Sequence, residues 1–122
     1  MSLRVLIVDD ASFMRAMLKD ILVSGGFDLA GEAVDGIEAV QKYKELRPDV
    51  VTMDIVMPLR SGIDAVKEII ALNKDARIIM CSALGQESLV LEAINAGAKD
   101  YIIKPFDPDM VVEMVKKVAG VK

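Results

Sequence analysis

The chain reads as an α/β protein: a doubly wound, five-stranded parallel sheet with helices on both faces. Three observations predict this class. Short apolar runs rich in Val and Ile alternate five times with segments whose apolar residues recur at helical spacing. The strand runs are apolar nearly throughout, as expected of strands covered on both sides. The 122 residues, 53% hydrophobic, suit one domain over 1–122 with a substantial core.

The elements follow in order. Leu3 to Val8 is an apolar run of strand type, closed by Asp9-Asp10. Ser12 is placed as the N-cap of a helix carrying Phe13, Met14, Met17, Leu18, Ile21 and Leu22 on one side. Gly25-Gly26 ends that helix. Phe27 to Val34 is a weaker strand interrupted by Gly31, and Asp35-Gly36 turns into a helix that stops before Pro48. The central strand runs from about Val50 to Asp54, with Pro58 ending further pairing. After the loop to Gly62 comes a helix bearing Ile63, Val66, Ile69 and Ile70. Ile78 to Cys81 forms a fourth strand, ending at Ser82-Ala83. A helix with Leu89, Val90, Ala93 and Ile94 follows, closed by Gly97. Tyr101-Ile102-Ile103 is the fifth strand, ending at Lys104-Pro105, before a last helix with Met110, Val111, Met114 and Val118.

Composition excludes several classes of function. There is no histidine, so His-based metal sites, Ser-His-Asp triads and a phosphohistidine on this chain are ruled out. The net charge of −4 and the lack of a basic stripe argue against direct nucleic-acid binding. One cysteine permits no internal disulfide and suits a reducing compartment, so a cytoplasmic location is expected. The first apolar run is too short to span a bilayer, and neither a signal peptide nor membrane insertion is expected. Cys81, inside an apolar strand, is expected to be an inert core residue.

Ligands of an open parallel sheet bind beyond the carboxyl ends of its strands. Those ends carry Asp9 and Asp10, Asp54, Ser82 and Lys104. Taken singly, the acids could cap helices, Lys104 could be a solvated surface residue and Ser82 an N-cap. Together on one rim they form a constellation. Two unit charges about 4 Å apart repel by roughly 4 kcal/mol at an effective dielectric near 20. Three acids against one lysine therefore call for a hard divalent cation, and Mg²⁺ suits oxygen donors of this kind. Asp54 is the candidate nucleophile toward phosphorus, with Lys104, the Ser82 hydroxyl and Mg²⁺ available to the developing charge.

At this point the chain resembles the receiver domains of two-component response regulators. The matching residues are Val8-Asp9-Asp10, Met53 to Pro58, Gly62, Ser82-Ala83, Ala96-Gly97-Ala98 and Lys104-Pro105-Phe106. The resemblance covers essentially the whole chain. It implies strand order 2-1-3-4-5, a property of the family that residue spacing by itself leaves open. It implies Asp54 as phosphoacceptor, with Asp10, Asp54 and the Val56 backbone carbonyl as Mg²⁺ ligands and Asp9 assisting through water. It implies Ser82 and Tyr101 as a switch pair, although a tyrosine near a strand edge is also often simple packing. It implies a cis Lys104–Pro105 bond. The implied donor is a sensor histidine kinase, and the face of the fourth helix, fifth strand and fifth helix would bind a flagellar motor switch protein or another output protein. Met110, Met114, Tyr101 and Leu89 could line that face.

Val56 and Leu84 depart from the family pattern, in which polar side chains often stand two residues after the phosphoacceptor and the switch hydroxyl. Slow self-dephosphorylation and a separate phosphatase are expected from them. A monomer is expected, and the lack of residues beyond the last helix favours a standalone protein. The resemblance also admits a single-domain phosphorelay intermediate or the receiver fragment of a DNA-binding regulator. A phosphatase of the haloacid dehalogenase type shares Asp, Ser, Lys and Mg²⁺. It usually carries Asp-x-Asp after its first strand, however, and this chain has no room for a cap domain. A flavodoxin-type cofactor site would need a phosphate loop where Asp9-Asp10 stands, and no Walker A or Gly-x-Gly-x-x-Gly pattern occurs.

Overall fold

Apolar strands covered on both sides need helices above and below, and the chain supplies them alternately. The computed structural model describes residues 2–120. Its elements are β1 (Arg4–Val8), α1 (Ser12–Ser24), β2 (Asp28–Ala33), α2 (Gly36–Leu46), β3 (Val50–Asp54), α3 (Gly62–Leu72), β4 (Ile78–Ser82), α4 (Glu87–Ala96), β5 (Asp100–Ile103) and α5 (Pro108–Ala119). All strand pairs are parallel, in the order β2-β1-β3-β4-β5.

Strand side chains alternate between two cores. Leu6, Val8, Val51, Met53, Ile78 and Met80 face α2, α3 and α4, where Tyr43, Val66, Ile69 and Ala93 cover them. Val5, Ile7, Val50, Ile79, Cys81 and Ile102 face α1 and α5, where Leu18, Leu22, Val111 and Val115 cover them. The central strands β3 and β4 are buried along their whole length. The register of β1 on β2 slips once: Val5 pairs with Leu29 and Leu6 with Gly31, leaving Ala30 as the extra residue. This is the interruption marked by Gly31, which lies where a Cβ would come 2.7 Å from Leu46 Cδ1.

Caps account for most helix starts. Asp35 accepts the Glu38 N–H, Ser61 accepts the Asp64 N–H, and Asp107 accepts the N–H groups of Asp109 and Met110. The expected cap at Ser12 does not form. Ala11 occupies that place without a side-chain cap, and Ser12 is the first helical residue. Asp9 Oδ1 instead accepts the Ala11 N–H at 2.9 Å, one residue ahead of the helix, and the first helical N–H groups have no side-chain cap. Ser82 caps no helix either, because α4 starts only at Glu87, after Gln86.

Candidate functional site

The site forms where β1, β3 and β5 end. Asp9, Asp54 and Lys104 follow Ile7, Thr52 and Ile102 by two residues, so strand alternation turns all three toward the α1/α5 side. Lys104 Nζ bridges the two acids, 3.0 Å from Asp9 Oδ2 and 3.2 Å from Asp54 Oδ1. Asp10, one residue past Asp9, is exposed at the mouth of the hollow. One carboxylate oxygen from each of Asp9, Asp10 and Asp54 lies within 4.8 Å of the others.

The two oxygens of Asp54 differ. Oδ1 accepts the Ile55 N–H at 2.9 Å as well as the lysine. Oδ2 accepts no hydrogen bond among the described residues. Among those residues the one buried side-chain polar atom without a partner is Thr52 Oγ1, so Asp54 Oδ2 is not sealed from solvent. Burial, then the neighbouring charge of Asp9, pushes the Asp54 carboxyl above its usual pKa, with Lys104 opposing both. Burial works against the Lys104 ammonium, yet the hydrogen bond to Asp9 and the charges of both acids outweigh it and raise its pKa. Cys81, on the same side beneath these groups, is buried, and burial pushes its thiol far up; it is inert core, as expected.

A tight turn holds Asp54 in place. The Gly62 N–H donates to the Ile55 carbonyl at 2.8 Å, and a Cβ on Gly62 would sit 2.0 Å from the Asp54 carbonyl oxygen. Only glycine admits this approach, which ties the start of α3 to the end of β3. Between them Val56 is 58% exposed at the rim. The Lys104–Pro105 bond is cis, as expected.

Among the described residues the Ser82 and Tyr101 side chains make no hydrogen bond to the acids. Ser82 alternates with Cys81 and so lies on the α4 side of the sheet, and its hydroxyl donates to none of the acids. Tyr101 is 42% exposed on β5. Both residues line a cleft of ≈ 390 Å³ with Val90, Ile94 and Ile103. Leu84 stands at its edge, 83% exposed.

The donor set suits a hard cation. All donors are oxygens lying within 4.8 Å of one another, and Asp9, Asp10 and Asp54 could hold Mg²⁺, which takes oxygen ligands from few carboxylates and keeps several waters. Asp10 and Asp54 Oδ2 are the groups the lysine leaves free. Arg15 was not singled out by its sequence position, yet its guanidinium donates to the Asp9 carbonyl at 2.8 Å and to Glu32 Oε1 at 2.9 Å. The available signal was its distance from Asp9: helical side chains lean toward the N-terminus, so a long one here reaches back to the strand end.

The model of the response regulator receiver domain matches residues 5–116. The chain belongs to the response regulator receiver family. It is 62% identical to the chemotaxis protein CheY of Thermotoga maritima, over 98% of this chain and 99% of that one. It is 60% identical to CheY of Bacillus subtilis, over 96% and 98% respectively. Among solved structures it is similar to a CheX–CheY–BeF3–Mg²⁺ complex from Borrelia burgdorferi, with TM-score 0.91, 45% identity and coverage of 98% of this chain and 90% of that one. Receiver domains are signalling modules and not turnover enzymes. No helix among the described residues is long and apolar enough to cross a membrane.

Proposed function

We propose that this receiver domain is a chemotaxis response regulator that takes a phosphoryl group from a sensor histidine kinase onto Asp54 and changes its output face in response. The single observation that carries the assignment of Asp54 is its asymmetry. Oδ1 is pinned by Ile55 and Lys104 while Oδ2 is left free at the bottom of an acid-lined hollow. A nucleophile must be oriented and yet keep an unoccupied lone pair, and this carboxylate does both.

In the transfer, Oδ2 of Asp54 forms a bond to phosphorus as the P–N bond of a phosphohistidine breaks. The leaving imidazole keeps the electron pair and takes up a proton. Lys104, charged and held at the rim, stands beside the acceptor oxygen and pairs with a peripheral phosphoryl oxygen. Asp10, Asp54 and the Val56 carbonyl would hold Mg²⁺, with Asp9 assisting through water. The ion would offset the acids' charge and that of the incoming phosphate. The acyl phosphate is labile, which suits a timed signal.

The switch assigned to Ser82 and Tyr101 draws support from the cleft they share, which has room for the ring to turn inward from its exposed position. Phosphorylation moves that equilibrium only by its differential stabilisation of the two states. The relatives are named chemotaxis proteins, and a chemotaxis role would make the target a flagellar motor switch protein. That the match covers 99% and 98% of those two relatives supports a single-domain regulator over the receiver fragment of a DNA-binding regulator, and the reading includes a cytoplasmic monomer. Val56 and Leu84 offer no polar group to position an attacking water, so the phosphoryl group is lost slowly unless a separate phosphatase acts. The test is incubation with acetyl phosphate and Mg²⁺ followed by mass spectrometry. One added phosphoryl group is expected, lost on Asp54→Ala; labelling that survives the substitution overturns the assignment.

A further inference from the structure

We propose that Arg15 is a positioning residue for the acid cluster, acting through the backbone of Asp9. The turn from β1 to α1 carries two of the three acids and lacks a side-chain helix cap. Its geometry rests on contacts to Asp9. The Asp9 N–H donates to the Ala33 carbonyl, Oδ1 accepts from Ala11, Oδ2 from Lys104, and the carbonyl from Arg15 at 2.8 Å. The Arg15 side chain is only 16% exposed, low for a charge on a surface helix, and its Nε is fixed by Glu32 at 2.9 Å. Glu32 is held in turn, its carbonyl accepting from Lys42 Nζ at 2.6 Å. A chain of contacts thus runs from α2 through β2 and α1 to the strand end.

A guanidinium is the side chain suited to this place. It offers several donors in a rigid fork and never loses its charge. One arm pairs with the Glu32 carboxylate and another holds the Asp9 carbonyl, so it fixes the strand end without occupying a metal-facing oxygen. Groups one step removed from a metal ligand commonly set affinity by fixing its orientation.

The inference rests on the Mg²⁺ reading, and the test separates the two. Mg²⁺ affinity is measured by calorimetric titration of wild type, Arg15→Met, Arg15→Lys and Lys117→Met. The last removes the exposed ion pair to Asp100 away from the acids. Arg15→Met should weaken Mg²⁺ binding about tenfold. Arg15→Lys should recover part of this, and Lys117→Met should match wild type. Amide exchange at Ala11 in the metal-free protein should accelerate in Arg15→Met while β4 amides stay protected. A mere structural staple would lower stability and leave Mg²⁺ affinity within twofold of wild type, which overturns the proposal. If wild type itself binds no Mg²⁺, the metal reading fails. The exchange measurement then decides alone: unchanged protection at Ala11 overturns the role of Arg15.

Discussion

Neutralising Asp54 should stabilise the metal-free protein. With carboxylate oxygens within 4.8 Å of one another, each pair of acids repels by at least about 3.5 kcal/mol at an effective dielectric of 20. Asp54 takes part in two such pairs, or about 7 kcal/mol. Against this stands its attraction to Lys104 at 3.2 Å, about 5 kcal/mol on the same scale. The balance is unfavourable by about 2 kcal/mol, and screening of the exposed Asp10 brings it nearer 1 kcal/mol. Burial of the carboxylate acts in the same direction. Asp54→Asn keeps an oxygen for Ile55 and Lys104, so metal-free protein at pH 7 should gain about 1–2 kcal/mol, or roughly 3–10 °C in Tm.

The pH dependence has a definite sign. The folded pKa of Asp54 lies above its unfolded value, so folding favours its protonated form. Its contribution is most favourable below the unfolded value of about 4 and is lost as pH rises through the folded pKa. The advantage of Asp54→Asn should therefore be full at neutral pH and vanish in acid. With Mg²⁺ at a hundred times its dissociation constant, wild type gains about 2.7 kcal/mol by linkage and the order reverses. The assay is thermal and urea unfolding in EDTA, from pH 3 upward, repeated with Mg²⁺. A variant less stable than wild type in EDTA at pH 7, or an advantage that persists unchanged in acid, would refute the reasoning.

Other substitutions probe separate parts of the argument. Gly62→Ala should cost about 3 kcal/mol by urea titration, because its Cβ meets the backbone of Asp54 with nothing able to yield; a loss under 1 kcal/mol would show that the turn is loose. Thr52→Val removes a buried hydroxyl without a partner and should gain about 1 kcal/mol; a loss would reveal a hydrogen bond not accounted for. Val56→Asn should shorten the lifetime of the acyl phosphate, followed by its decay after donor removal, and a longer lifetime contradicts the proposed role of Val56. Mg²⁺ should raise the Tm of wild type, and Asp10→Ala should abolish that rise; an undiminished rise would place the ion elsewhere.

Much of this molecule was legible in its residues. Apolar strand runs between helical periodicities dictate a parallel sheet, and such a sheet gathers its strand-end polar groups on one rim. Asp9, Asp10, Asp54 and Lys104 were therefore legible as neighbours, because each closes an apolar run that is recognisable by itself. Ser12 misled because Ala11 occupies the N-cap place, its N–H held by Asp9, so that Ser12 already lies in the first helical turn. Tertiary structure alone decided which Asp54 oxygen is free and that Arg15 reaches the Asp9 carbonyl. These facts depend on where β1, β3 and β5 end relative to one another. That is set by register and packing between segments far apart in the chain, which periodicity within any one segment does not encode.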